Sequence, residues 1–331
     1  LEADMKKRIK SIIMAVGITG VFLLSACTKK ETIPKVRIGY FPNITHTQAL
    51  VLKDQGTLEE KWKDQVEVSW TSFNAGPAEV EAIFAGEIDI GYIGPVPAIN
   101  AYVKSNGDVQ ILTNATDAGA VLVKRTDSDI ETISDLAGKK VAIPQIGNTQ
   151  HLCLLQLLEE NGLSATSDGG DVEVVAVENA DVMNMMEQEN IDAALVPEPW
   201  GSILESQCDA RIVLDFDEIF LEGNYPTAVV VVRKEFLEQY PELVQEFLEE
   251  HEDATNYVNE NEEELYNIVN RQIEQETSKS YDAWILKSAF DRIRVQAEVN
   301  EEAIEAFGKI CYEQAFIQEE MKEGIVIKNV N

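Results

Sequence analysis

Four short turns along the chain carry the residue types that can hold an anion without a cation. Phe41-Pro42-Asn43-Ile44-Thr45-His46 follows the apolar run Val36–Tyr40, and Phe73-Asn74-Ala75-Gly76-Pro77 follows the alternating run Val66–Trp70. Gly94-Pro95 follows Ile88–Ile93, and Gly147-Asn148-Thr149-Gln150-His151 follows Val141–Ile143. Asn43 or Thr45 can cap one helix and Asn148 another, while Pro77 and Pro95 suit the first helical position. A helix start leaves backbone N–H groups free and directs about half a positive charge outward. Such termini bind sulfate, phosphate or carboxylate groups. None of the four turns contains Lys or Arg, so the chemistry on offer is capture of an anion by neutral donors. One such turn is what any capped helix looks like; four in corresponding places are what point to a ligand.

His46 and His151 lie in these turns and can each donate to an oxyanion. Pro197-Glu198-Pro199-Trp200 ends a further apolar run, Ile191–Val196, and its two prolines restrict the backbone around Glu198. A carboxylate beside an anion is costly unless a cation pairs with it. Glu198 therefore either meets the ammonium of a zwitterion, with Trp200 on the carbon chain, or turns to a neighbouring basic side chain or solvent. No Ser-His-Asp order, paired catalytic carboxylates, His-x-x-x-His or Gly-Lys-Ser/Thr phosphate loop stands in a suitable context. No catalytic residue, cofactor or metal is expected.

Short β-rich runs alternating with helical patterns must position these turns. Helices are expected at 45–53, 77–85, 95–104, 133–137, 149–161 and 181–189. Further strands are expected at 109–112, 120–124, 172–177 and 228–233, before an acidic helical tail from Pro241. Strands separated by helices imply βαβ units and mainly parallel sheets. About 300 residues is more than one core usually organises, so two open α/β lobes with a cleft between them are expected. The crossovers fall near Asn114–Gly119 and Leu214–Tyr225. This makes 36–118 and 217–331 one lobe and 119–216 the other. In such sheets ligands sit beyond the carboxyl ends of the strands, where the four turns are.

The net charge of −32 excludes a nucleic-acid partner. Beyond Cys27, the cysteines Cys153, Cys208 and Cys311 are odd in number and scattered, which argues for free thiols. At the other end of the chain, Lys6, Lys7, Arg8 and Lys10 precede an apolar run, Ile12–Leu24, that closes on Leu24-Ser25-Ala26-Cys27. These are the parts of a secretory signal, and the run is shorter than the ~20 residues that span a bilayer. Leu-Ser-Ala-Cys resembles the bacterial lipobox, which implies cleavage before Cys27, acylation of Cys27 and attachment to the outer face of the cell membrane. Residues 1–26 are then the signal peptide and 27–35 a polar tether; a retained membrane anchor is the rival reading.

Several separated segments together resemble the solute-binding proteins for sulfonates, taurine and nitrate. They are Phe73 to Pro95, Ile133 to Pro144 with Gly147-Asn-Thr-Gln-His151, Ile191-Asp-Ala-Ala-Leu-Val-Pro-Glu-Pro-Trp200, Tyr225-Pro-Thr and Val231-Val-Arg-Lys-Glu. The resemblance covers roughly residues 35–240. It implies a two-lobed periplasmic-binding-protein type II clamshell that closes about a two-strand hinge. The ligand would be a small anion, and the partners the permease and ATPase of an ABC importer, with the chain acting as a monomer. Ligand contacts would map to Asn43, Thr45, His46, Asn74, Gly94, Thr116, Asn148, Thr149 and Gln150, with Glu198 and Trp200 nearby. The second-lobe turn departs from the family's usual Gly-Ser/Thr-Thr/Ala-x-His, which bears on the identity of the anion. Nitrate, another oxyanion or a thiamine pyrimidine precursor are the alternative ligands. The same fold includes enzymes that consume a histidine to build that pyrimidine, but an exported lipoprotein has no evident access to the cofactor involved. A ligand sensor without a transporter is a further alternative.

Overall fold

Two mixed β-sheets, each flanked by helices, make up the residues that this computed structural model describes, 33–330. The basic and apolar start of the chain, the lipobox and Cys27 lie outside them. The first sheet has six strands in the order β11-β4-β10-β3-β1-β2. They are β1 (Lys35–Tyr40), β2 (Glu67–Ser72), β3 (Ile90–Ile93), β4 (Val109–Ala118), β10 (Pro226–Arg233) and β11 (Ile293–Val295). The second has five, in the order β7-β6-β8-β5-β9: β5 (Ala120–Lys124), β6 (Lys140–Ile143), β7 (Glu173–Ala176), β8 (Ala193–Pro197) and β9 (Arg211–Leu214).

The mainly parallel sheets expected from the βαβ pattern are corrected here. β1 pairs parallel with β2 and β3, but β10 runs antiparallel to both β3 and β4, and β11 antiparallel to β4. In the second sheet β6 is parallel to β7 and β8, while β5 is antiparallel to β8 and β9. The reason is the double crossing. β4 carries the chain out of the first sheet and β10 brings it back along the adjacent line, so the two must oppose. The central strands β3, β5, β8 and most of β10 are buried throughout, as strands covered on both faces must be.

Three elements had little sequence signal. The strands β9 and β11 are short edges, and the helix Trp200–Gln207 directly follows Pro199. Two expected helices shrink: residues 133–136 form a single 3-10 turn, and 181–189 becomes a 3-10 turn followed by Val182–Glu187. β4 runs six residues past its expected end at Leu112. The chain passes between the sheets at Ala118 and Gly119, both with left-handed φ (62° and 79°). Gly119 also lies so close to Ile293 that a Cβ there would strike its side chain, so two independent constraints require glycine at this crossing.

Candidate functional site

The turns at the ends of β1, β2, β3 and β6 come together around one small cavity. Asn43, Thr45, His46, Asn74, Gly94, Asn148, Thr149 and Gln150 all line it. The space is ≈ 20 Å³, little more than the roughly 10–15 Å³ that one water molecule needs. As it stands, the space does not hold a solute of several heavy atoms.

Several lining side chains are oriented by their own turns. Asn43 Oδ1 accepts from Thr45 N–H at 3.1 Å and from the Thr45 hydroxyl, capping the 3-10 turn Ile44–His46. His46 stacks on Phe41 with ring centroids 4.2 Å apart, and its Nδ1 accepts from Phe41 N–H at 3.0 Å. That bond places the imidazole proton on Nε2, so the ring is a donor. Burial lowers its pKa to about 3, and it stays neutral at physiological pH. Asn148 Oδ1 accepts from His151 N–H at 2.9 Å and caps the helix Thr149–Glu160, while its Nδ2 donates to Gln150 Oε1 at 2.9 Å. The side-chain cap leaves the N–H groups of Thr149 and Gln150 at the open start of that helix. The helix Gly76–Phe84 has no side-chain cap. The helix Pro95–Lys104 contributes less than its position suggests, because Pro95 and Pro97 leave only Val96 N–H among its first three residues.

The two halves touch across the cavity. Thr149 Oγ1 lies 3.5 Å from Val96 N, and Asn74 Nδ2 lies 3.4 Å from Pro144 O. A Cβ on Gly94 would fall 2.5 Å from Thr149 Oγ1, so a side chain at this position obstructs the approach of the two halves.

Three expected contacts, Thr116, Glu198 and Trp200, do not line the cavity. Thr116 is fully buried within β4, paired on one side with β10 and on the other with β11. It left the cleft because β4 continues through it instead of ending before it. Trp200 opens its helix and packs into the hydrophobic core. Glu198 turns to a basic neighbour: its Oε1 lies 2.9 Å from Arg292 Nη1, and Ser202 donates to it from backbone (3.0 Å) and hydroxyl (3.1 Å). Burial pushes the Glu198 carboxyl above its ordinary range and Arg292 pulls it back. Arg292 also meets Glu205 at 2.9 Å and Asp215 at 3.1 Å. Burial opposes its charge, but these three carboxylates outweigh burial and raise its pKa. His151 is likewise outside the cavity: its Nδ1 accepts from Gly147 N–H at 3.1 Å and its ring packs at a tilt against Phe316.

The cavity also takes residues that the sequence reading missed, chiefly Asn179, Thr227 and the apolar Phe41, Pro97, Pro144 and Pro197. Asn179 sits in the turn after β7, a strand end like the other four. Thr227 lies in β10 beside the crossing, its hydroxyl on Ala118 O. Among the lining residues there is no Asp, Glu, Lys or Arg. Among the described residues no cluster of His, Cys, Asp or Glu could hold a metal, and Cys153, Cys208 and Cys311 are free. No described helix is long and apolar enough to cross a membrane.

A neutral, donor-rich cavity between two α/β halves is a place to bind, and known proteins of similar sequence and shape are binding proteins. Over 222 residues the chain is 29% identical to an Escherichia coli (strain K12) protein named for binding aliphatic sulfonates, covering 67% of this chain and 66% of that protein. Over 181 residues it is 32% identical to the taurine-binding periplasmic protein of the same organism, covering 54% and 53%. Both alignments span less than two thirds of those relatives' own length. The alkanesulfonate-binding protein SsuA from Xanthomonas axonopodis pv. citri, solved bound to MOPS, superposes with a TM-score of 0.74 at 20% identity, over 88% of this chain and 98% of that one. The likeness in shape establishes the two-lobed periplasmic-binding-protein fold. The model of the NMT1-like family matches residues 29–270, and the chain belongs to that family.

Proposed function

We propose that this chain is an extracytoplasmic solute-binding protein that delivers a small oxyanion, an aliphatic sulfonate above all, to the permease and ATPase of an ABC importer. The observation that carries the reading is the cavity. Neutral donors on Asn43, His46, Asn148 and Gln150 and the start of the helix Thr149–Glu160 surround it, with no charged side chain in its wall. Such a seat suits a group whose single charge is spread over several oxygens, each accepting from a separate donor. The relatives named for sulfonates and taurine support the choice of oxyanion. In this reading residues 36–118 and 217–331 form one lobe and 119–216 the other. The lobes part at the paired crossings beside Gly119 and Thr227 and close as Thr149 meets Val96 and Gly94.

A panel of ethanesulfonate, taurine, nitrate, sulfate and hydroxymethylpyrimidine tests the ligand class by thermal unfolding. A true ligand at a hundred times its Kd adds about 2.7 kcal/mol, a shift of several degrees. Stabilisation by the pyrimidine alone would overturn the oxyanion reading.

The reading also includes a lipid anchor on Cys27, followed by the tether 27–35, with the chain working as a monomer at the extracytoplasmic face of the cell membrane. Cys27→Ala should yield a protein without acyl chains. Acylation of that variant, seen by mass spectrometry, removes the anchor from the proposal.

A further inference from the structure

We infer that the cavity selects a sulfonate with an uncharged, apolar tail and discriminates against a taurine-like zwitterion. The inference rests on the sulfonate reading above and names the class of solute within it. The relatives are named for both kinds of ligand, so sequence similarity leaves the choice open; the wall of the cavity does not. No lining residue is a carboxylate, so an ammonium group held against this wall meets no opposite charge. Glu198, the acidic residue that follows the cavity-lining Pro197, is fully buried and outside the lining, with Arg292 at 2.9 Å and two bonds from Ser202. Its charge is already matched, and releasing it for a ligand would leave Arg292 short of its buried partner. An ammonium moved out of water without a carboxylate loses its hydration, and the neutral acceptor that the wall offers, Asn179 Oδ1, returns one hydrogen bond but no opposite charge. A methyl in the same place gains from contact with Phe41, Pro97, Pro144 or Pro197.

Taurine and propane-1-sulfonate are near isosteres that differ by this exchange of ammonium for methyl, so calorimetry with the pair decides the matter. Propane-1-sulfonate should bind on the order of a hundredfold more tightly than taurine at pH 7, as expected for burying an unmatched charge. Asn179 lines the cavity and its Oδ1 has no partner. Asn179→Asp puts a carboxylate there with almost no change of shape and should narrow the ratio roughly tenfold or more. The wild-type protein supplies a second test that needs no variant. Above the pKa of the taurine amine the ligand loses its ammonium, and the ratio should collapse toward one; His46, the one titratable side chain in the wall, is already neutral there. Equal affinities at pH 7, within about threefold, overturn the inference and leave the sulfonate reading standing. Binding of neither compound overturns both.

Discussion

The cavity and the cluster around Arg292 are both built from strand ends beside the crossings between the sheets, yet they use polar groups in opposite ways. In the cavity every lining group is neutral, and three of them are oriented by bonds within their own turns: Asn43 to Thr45, His46 to Phe41, Asn148 to His151. Those bonds use the Oδ1 of each asparagine and the Nδ1 of the histidine as acceptors, which leaves Asn43 Nδ2 and His46 Nε2 as donors. Around Arg292 the groups are charged and satisfy one another. A segment just before β11 of the first sheet is thereby tied to Glu198, Glu205 and Asp215, which follow β8 and β9 of the second or lie in the helix between them. Charged side chains near the crossing thus consume each other, and the neutral ones remain available. This division explains how so acidic a chain keeps one cavity free of charge.

The largest expected effect comes from breaking the charged cluster. Arg292→Met leaves Glu198 buried without its cation, which should cost roughly 3–5 kcal/mol of stability, measured by urea unfolding. Replacing Glu198 by Leu in the same chain should recover much of that loss. If the single variant is as stable as the parent, the cluster is not the structural counterpart of the cavity.

Gly94→Ala acts on the cavity alone. The added methyl meets Thr149 Oγ1 and holds the halves apart, so sulfonate affinity should fall about tenfold, equivalent to ~1.4 kcal/mol, with little change in unfolding. Adding Thr149→Ala should restore part of the affinity by removing the obstacle. No recovery would mean that Gly94 acts otherwise than by admitting Thr149.

Asn148→Ala separates capping from binding. Loss of the cap should lower stability by about 1 kcal/mol. The loss in affinity should be larger, because the variant also frees Gln150, whose Oε1 is held by Asn148 Nδ2. Equal losses in the two measurements would return Asn148 to the role of a helix cap.

The smallest expected effect is that of pH. His46 has its folded pKa at about 3 through burial, so it donates from Nε2 as a neutral ring throughout pH 5–8. Sulfonate affinity should be flat over that range by calorimetry. A tenfold gain per unit of falling pH would show that an imidazolium holds the anion, and the contrast between a neutral cavity and a charged cluster would fail.

Much of the site could be read locally, because a strand end followed by Asn, Thr, Gly or Pro is defined within a few residues. The eight cavity residues anticipated from sequence all belong to turns of that kind. Asn179 was accessible by the same rule, since it follows the strand expected at 172–177. Thr116 was misplaced because polar residues in β4, Thr113, Asn114, Thr116 and Asp117, look like a loop; they remain in the strand because β10 and β11 supply the pairing that propensity alone does not.

The sequence by itself determined two α/β halves, the neutral capped turns and the absence of a cation beside them, all of which follow from periodicity and from side-chain chemistry within a single turn. Only the tertiary structure decided the direction of Glu198. Its partner Arg292 lies 94 residues away, and a proline-flanked glutamate has the same local chemistry whether it faces a ligand or an arginine. It also decided the mixed sheets, because strand direction depends on where the returning chain re-enters. The same holds for Gly94 and Thr149, which lie far apart in the sequence and are brought together only by the tertiary fold.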